Sequence, residues 1–222
     1  MRSASFAVLL IKLLAFNAVK GITSDTMGDK VEYINAQAFY NCSNLRSVHL
    51  SSNLKKISDS SFASCSALES INVPQSVSSI EDKAFWMCTS LTETDIPKNV
   101  VSIGNSAFYD CKIMSITIPD GVTSIGNYVF SYCSGLTEIT CNAVTAPTIG
   151  GNNTFYGVPQ YGTLNYPDGS DYSQWLSKDY YYLGYYNWNE TAPVLLVTCV
   201  YDVTSTTDPT KLIYFQTPSI LT

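Results

Sequence analysis

One frame, repeated at a near-constant interval, limits this chain to a repeat architecture. From Phe62 to Phe85 it reads FASCSALESINVPQSVSSIEDKAF, with the frame Phe-x-x-Cys-x-x-Leu-x-x-Ile-x-Val-Pro-x-x-Val-x-x-Ile. Four residues follow, the last of them small, and then the next Phe. The frame starts at Phe39, Phe62, Phe85, Phe108 and Phe130, in steps of 23, 23, 23 and 22 residues. Periods of this order mark solenoids, in which each unit buries its apolar face only by stacking on its neighbours.

The frame reads as local structure. Ile71-Asn-Val73 alternates with period two, so it predicts a short strand with Ile71 and Val73 pointing inward. Pro74 has no N–H and a fixed φ, so it ends the strand. Val77, Ile80 and Phe85 recur at irregular spacing, which predicts a non-helical or short 3₁₀ return. Neighbouring strands are expected to pair in parallel, about 4.8 Å apart. The pattern starts mid-unit at Val31-Glu-Tyr-Ile34 and departs from itself at three points. Thr94 stands at an inward position, one residue is missing after Cys111, and the Phe130 unit lacks its Pro.

These residues resemble the BspA-like (treponemal-type) leucine-rich repeat, with Cys at the ladder position and Pro after the strand. The resemblance covers about residues 31 to 150. CNAVTAPTIGGNNTF and GTLNYPDGSDYSQW resemble the ends of such arrays in Bacteroidetes surface proteins. It implies an α/β-type, right-handed leucine-rich-repeat horseshoe with parallel strands on the concave face and mostly irregular or 3₁₀ outer segments. About five coils are expected. It also implies a non-enzymatic, secreted or cell-surface module, monomeric, that adheres to host matrix or cell-surface proteins.

Composition agrees with such a setting. Charged residues are only 14% of the chain, so Ser, Thr, Asn and Tyr must carry the polar surface, a profile common in secreted proteins. The net charge of −6, with no Lys/Arg run, argues against a nucleic-acid partner. Residues 1–21, MRSASFAVLLIKLLAFNAVKG, hold Arg2 and a mostly apolar run from Phe6 to Val19. That predicts a secretory signal peptide cut after Gly21, although Lys12 interrupts the run. An extra N-terminal helix or a misplaced start are the alternatives. The run is too short and too interrupted for a stable membrane span. The organisation expected is a signal peptide (1–21), repeats (22–150), an aromatic cap (151–192) and a β segment (193–222). The last reads as a strand from Pro193 to Tyr201, a turn-rich loop, and a strand from Lys211 to Phe215, and could begin a further β domain.

Cys42, Cys65, Cys88, Cys111 and Cys133 recur once per unit. Stacking brings equivalent residues within disulfide range, but parallel Cβ vectors do not give the crossed geometry that a disulfide needs. No zinc spacing occurs. A ladder of buried thiols is the reading, with Cys141 in the core and Cys199 as the unpaired seventh. No catalytic residue, metal site or cofactor is expected. His49, the only histidine, faces outward beside Ser47, Ser70 and Asn72, with no orienting acid in reach. Glu93, Asp95 and Glu138 read as a solvated acidic patch, because Glu138 is two strands away. Asp168-Gly-Ser-Asp171 and Asp25 to Asp29 lack the oxygen ligands calcium needs.

Two outward rows remain for binding on the concave face. One is Ser47, Ser70, Glu93, Ser115 and Glu138; the other is His49, Asn72, Asp95, Thr117 and Thr140. They offer hydrogen bonds but no aromatic or Arg anchor, which binding hot spots favour. Two further readings stand beside protein adhesion. The Tyr and Trp residues of 155–190 could serve as stacking platforms for a glycan, or the chain could be a structural spacer. Coplanar, exposed rings among Tyr180, Tyr182, Tyr186 and Trp188 would favour the glycan.

Overall fold

The computed structural model describes residues 21–190 together with Ala18. Twelve short strands lie among them. The first three, β1 (Ser24–Thr26), β2 (Ser47–His49) and β3 (Ser70–Ile71), occupy one side of the coils. The chain then alternates sides: β4 (Ser79–Ile80), β5 (Glu93–Thr94), β6 (Ser102–Ile103), β7 (Ser115–Ile118), β8 (Ser124–Ile125), β9 (Glu138–Cys141) and β10 (Thr148–Ile149). Finally β11 (Thr163–Asn165) and β12 (Asn189–Glu190) return to the first side. All pairings are parallel, between residues 22 to 26 apart. The fold is a parallel-strand solenoid of about 7 turns with almost no helix.

The Val-x-x-Ile return is where the fold adds to the sequence reading. It forms a second parallel sheet, β4-β6-β8-β10, extended by a bridge from Ile57 to Ile80. Ile57, Ile80, Ile103 and Ile125 are buried, while Ser79, Ser102 and Ser124 turn outward. Two residues are too few for an alternation to show in one copy. Only the stacked copies reveal it. Beside this sheet runs a side-chain ladder: the Asn105 N–H donates to Asp82 Oδ1 (2.7 Å) and the Asn127 N–H to Asn105 Oδ1 (2.9 Å). The coils approach so closely here that a Cβ on Gly104 would stand 2.4 Å from the Asp82 nitrogen. The Glu81 position is glycine in the next coils for that reason.

The Phe-x-x-Cys turn forms a third coil-to-coil ladder. In each coil two non-glycine residues four apart take the left-handed region: Gln37 and Asn41, Ser60 and Ser64, Lys83 and Met87, Ser106 and Asp110, Tyr128 and Tyr132. Each such conformation costs on the order of 1–2 kcal/mol. In return it turns alternate N–H groups towards the next coil, as in Lys83 N to Asn105 O, Phe85 N to Ala107 O and Met87 N to Tyr109 O, each 2.8 Å. Inside the turn the rings of Phe39, Phe62, Phe85, Phe108, Phe130 and Phe155 form one buried column, with centroids 5.1–6.1 Å apart.

The cysteines complete this turn. Cys65, Cys88, Cys111 and Cys133 are buried, and each Sγ donates to the carbonyl of the Phe in the preceding coil, at 3.0 to 3.2 Å. The thiol ladder read from the sequence is therefore a hydrogen-bonded one. Burial is the main cause that pushes Cys65 and Cys133 up to about 12, and it raises Cys88 and Cys111 as well. Cys141 is buried on β9, as expected, while Cys199 lies outside the described residues.

The repeats run further than the sequence reading placed them. Phe155 stacks on Phe130, Thr148–Ile149 pairs with β8, and β11 pairs with both β9 and β12. Insertions of two to three residues disguise these coils, although Pro167 follows Leu164 by three as Pro74 follows Ile71. Trp175 packs on Phe155 at 5.4 Å and ends the Phe column. At the other end, the Ala18 N–H donates to Tyr40 O (2.8 Å) with φ 62°, as Asn41 does to Ala63 one coil later. Ala18 thus sits in the turn ladder, on the far side of the expected cut after Gly21, and Phe16 precedes Phe39 by the same 23 residues. The rest of the expected signal peptide and the strands from Pro193 to Phe215 lie outside the described residues.

Candidate functional site: the first sheet and its cleft

The first sheet presents the two rows singled out from the sequence. Period-two alternation buries Val48, Ile71, Ile116 and Ile139 and turns their neighbours out. Ser47, His49, Ser70, Asn72, Glu93, Asp95, Ser115, Thr117 and Glu138 are exposed, and Thr140 is half-buried. Glu138 Oε1 and Thr140 Oγ1 both accept from Asn165 Nδ2, at 2.9 and 3.2 Å, which ties the last two to β11. His49 lies at the end of β2, away from Glu93 and Asp95 on the other side of β3.

This sheet is interrupted. The strands pair as β1-β2, β3-β5 and β7-β9-β11-β12. Between β2 and β3 one ladder bond persists, Glu69 N to Arg46 O at 3.3 Å. Between β5 and β7 no strand pairing occurs among the described residues. The cause lies in the sequence: one residue is missing after Cys111, so Ile113 follows it by two where Leu91 follows Cys88 by three. Both Ile113 and Leu91 are fully buried, so the core stays filled while the strand above it is displaced.

A cleft of about 440 Å³ opens at this break. Six of the ten row residues line it: Ser70, Asn72, Glu93, Asp95, Ser115 and Thr117. Its floor includes Thr94, whose Oγ1 is buried with no hydrogen-bond partner. Glu93 and Asp95 are the ionisable residues of the lining. The cleft is thus polar, acidic and held on a rigid scaffold. Its carboxylates and hydroxyls can accept hydrogen bonds, and its hydroxyls and the Asn72 amide can donate them. Among the described residues no group of three or more His, Cys, Asp or Glu could hold a metal ion, and no helix is long and apolar enough to cross a membrane.

The cap aromatics do not form a coplanar platform. Trp188 is only 3% exposed, its Nε1 donating to Pro159 O at 2.8 Å, and the Tyr186 hydroxyl accepts from the Gly157 N–H. Of the four residues named for glycan stacking, Tyr180 is exposed (66%) and Tyr182 half-buried. Sequence reading missed a different aromatic feature. A continuous stripe runs along the outside of the turn ladder: Trp86, Tyr109, Tyr132, Tyr156 and Tyr181, in steps of 4.5–6.2 Å. The signal was present, since an aromatic residue follows Phe39, Phe85, Phe108 and Phe155 directly. Its meaning depended on knowing that the position after Phe points outward.

A family model and one solved structure agree with this architecture. The BspA type leucine-rich repeat region matches in 6 copies, over residues 10–137 and 101–174. Among solved structures, a leucine-rich repeat protein from Bacteroides ovatus is 26% identical with a TM-score of 0.58, over 65% of this chain and 37% of that one. A leucine-rich repeat protein of T. pallidum is 21% identical (TM-score 0.49, 62% of this chain and 78% of that one). A leucine-rich cell surface protein from Faecalibacterium prausnitzii is 24% identical (TM-score 0.47, 66% and 55%). No curated protein matches the chain. The chain spans little more than a third of the Bacteroides ovatus protein's length. Leucine-rich repeats of this kind are typically non-enzymatic and suggest a protein-interaction module. By its repeats this chain belongs to the BspA-type leucine-rich repeat family.

Proposed function

We propose that the chain is a secreted or cell-surface adhesion module that holds a protein, on host matrix or on another cell, against its first-sheet face. The observation that carries this reading is the cleft at the β5–β7 break. It gathers six outward hydrogen-bonding side chains, two of them acidic, between strands that are each held by the coil on the far side of the break, β5 by β3 and β7 by β9. Solenoids commonly bind through such an extended face. With carboxylates and hydroxyls but no aromatic or Arg anchor, the face suits a partner that brings its own basic and aromatic groups.

The test is solid-phase capture of the purified chain on a panel of extracellular-matrix proteins. Wild type should be retained on at least one, and Glu93→Lys with Asp95→Lys should lose about tenfold or more in affinity. Both substitutions are on exposed positions, so melting should stay unchanged. Retention that is indifferent to this pair, or no retention on any matrix protein, would remove the proposal.

A further inference from the structure

We propose that the aromatic stripe on the turn face is a second docking surface, for an extended, basic, proline-rich segment in the polyproline II conformation. The stripe is separate from the first-sheet cleft and carries the residue types that the cleft lacks. Hot spots are rich in Trp and Tyr, which give large contact areas at low entropic cost. Tyr132 is 43% exposed, Trp86, Tyr109, Tyr156 and Tyr181 are half-buried, and Tyr180 beside Tyr181 is 66% exposed, so part of the stripe is open to a partner.

The geometry selects the occupant. The backbone of the stripe is already spent on coil-to-coil bonds, as in Met87 N to Tyr109 O, Asp110 N to Ser131 O and Tyr132 N to Tyr156 O. A partner therefore cannot add a strand here and must bind through side chains. Successive rings meet edge to face, at 67° (Tyr109–Tyr132), 87° (Tyr132–Tyr156) and 85° (Tyr156–Tyr181). That arrangement leaves notches rather than the flat platform on which a sugar ring stacks. Two coils span about 9.6 Å, and one polyproline II turn of three residues rises about 9.3 Å. Every third residue of such a peptide meets an equivalent notch. A β-extended peptide, repeating at about 6.8 Å, would fall out of step.

Charge selects further. Asp110 lies within the stripe and raises Tyr109, after the larger effect of burial. The lysines nearby keep their charge: Lys112 Nζ donates to Ser134 Oγ and Lys178 Nζ to Gly184 O, both neutral acceptors, and Lys83 is exposed in the turn of Trp86. Asp110 within the stripe and the net charge of −6 are what favour Arg or Lys over the Tyr and Trp faces.

The probe is a labelled peptide of alternating proline and arginine, about ten residues or roughly 31 Å long in this conformation, read by fluorescence anisotropy. Wild type should bind it. Tyr132→Asn with Tyr156→Ser should weaken binding about tenfold or more; Asn tolerates the left-handed backbone of position 132. Tyr180→Ser, at a freely exposed position, should weaken it too and keeps the test decisive if the pair fails to fold. Asp110→Asn should weaken it at low salt and not at high salt. Loss of binding in Glu93→Gln with Asp95→Asn, with the tyrosine variants binding as wild type does, would place the peptide in the acidic cleft and overturn the proposal. The proposal is overturned if the tyrosine variants bind as wild type does. A glycine–arginine peptide of the same length binding equally well would reduce it to charge alone. Capture of a chito-oligosaccharide in place of the peptide would reassign the stripe to glycans.

Discussion

The two sheets of the solenoid meet the same missing residue and respond differently. On the first sheet, the residue lost after Cys111 ends the pairing between β5 and β7 and leaves a cleft. The second sheet runs unbroken through the same coils, Ser79 to Ser102 to Ser124 to Thr148, although the steps are 23, 22 and 24 residues. The turn ladder is unbroken as well, with Cys133 Sγ donating to Phe108 O across that coil at 3.1 Å. What separates the sheets is redundancy. The second has backbone pairing, the Asp82–Asn105–Asn127 ladder and the close contact at Gly104, all in register. The first adds to its backbone pairing only scattered exposed contacts, such as Arg46 with Glu69 and Asn165 with Glu138. Length variation is absorbed where the fewest bonds are lost, and that is the face left free to bind.

If the Phe column and the second sheet hold the register, the largest effect should come from cutting the column beneath the break. Phe108 stacks on Phe85 at 5.4 Å and Phe130 at 6.0 Å and is fully buried. Phe108→Ala should cost about 3–5 kcal/mol, measured by urea unfolding. A loss below about 1 kcal/mol would show that the column is already loose there, and the two sheets would not differ for the reason given. The turn ladder supplies the next effect through pH. Cys133 ionises near 9.0 when unfolded and is held at about 12 in the fold, chiefly by burial. Its folded pKa is raised, so the native state keeps a proton that the unfolded state gives up. Stability is then complete below about pH 9 and falls as pH rises towards 12, by about 1.4 kcal/mol per unit for each such thiol. Cys133→Ala should melt lower at neutral pH and lose less between pH 9 and 10 than wild type does. Equal slopes would mean that the thiol is open to solvent.

The same contrast explains what the sequence could reveal. Phe, Cys, Leu, Ile and Pro recur because each has one job in every coil, so the period, the first strand and the thiol ladder were legible from copies of Phe62–Phe85. The second sheet was not, since Ser79–Ile80 is too short to show its alternation and its pairing partner is 23 residues away. The last coils were hidden by their insertions, and Phe155 declared itself only by stacking on Phe130. The ten outward residues could be placed on one face from period two alone. That six of them gather at one cleft could not, because the cleft depends on a strand pairing lost to a single missing residue. The aromatic stripe was open to reading in Trp86, Tyr109 and Tyr156. It went unread because the left-handed residue after each ring is a glycine only at Gly157, while Met87 and Asp110 take that conformation without announcing it.

The smallest effect probes the break itself. Thr94 stands where Ile71, Ile116 and Ile139 fill the core, and its Oγ1 is buried without a partner. A buried hydroxyl without a hydrogen bond costs about 1–3 kcal/mol. Thr94→Val keeps the shape and removes that cost, so it should stabilise the chain by about 1 kcal/mol, where most substitutions in a packed repeat destabilise. The same change at Thr117, exposed on β7, should lie within about 0.5 kcal/mol of zero. The difference between the two is the useful quantity, because β-propensity favours Val at both sites and cancels. A destabilising Thr94→Val would mean that the hydroxyl bonds to water held in the cleft. The break would then be a hydrated site with its own structure, and the first sheet would owe its opening to that water as much as to the missing residue.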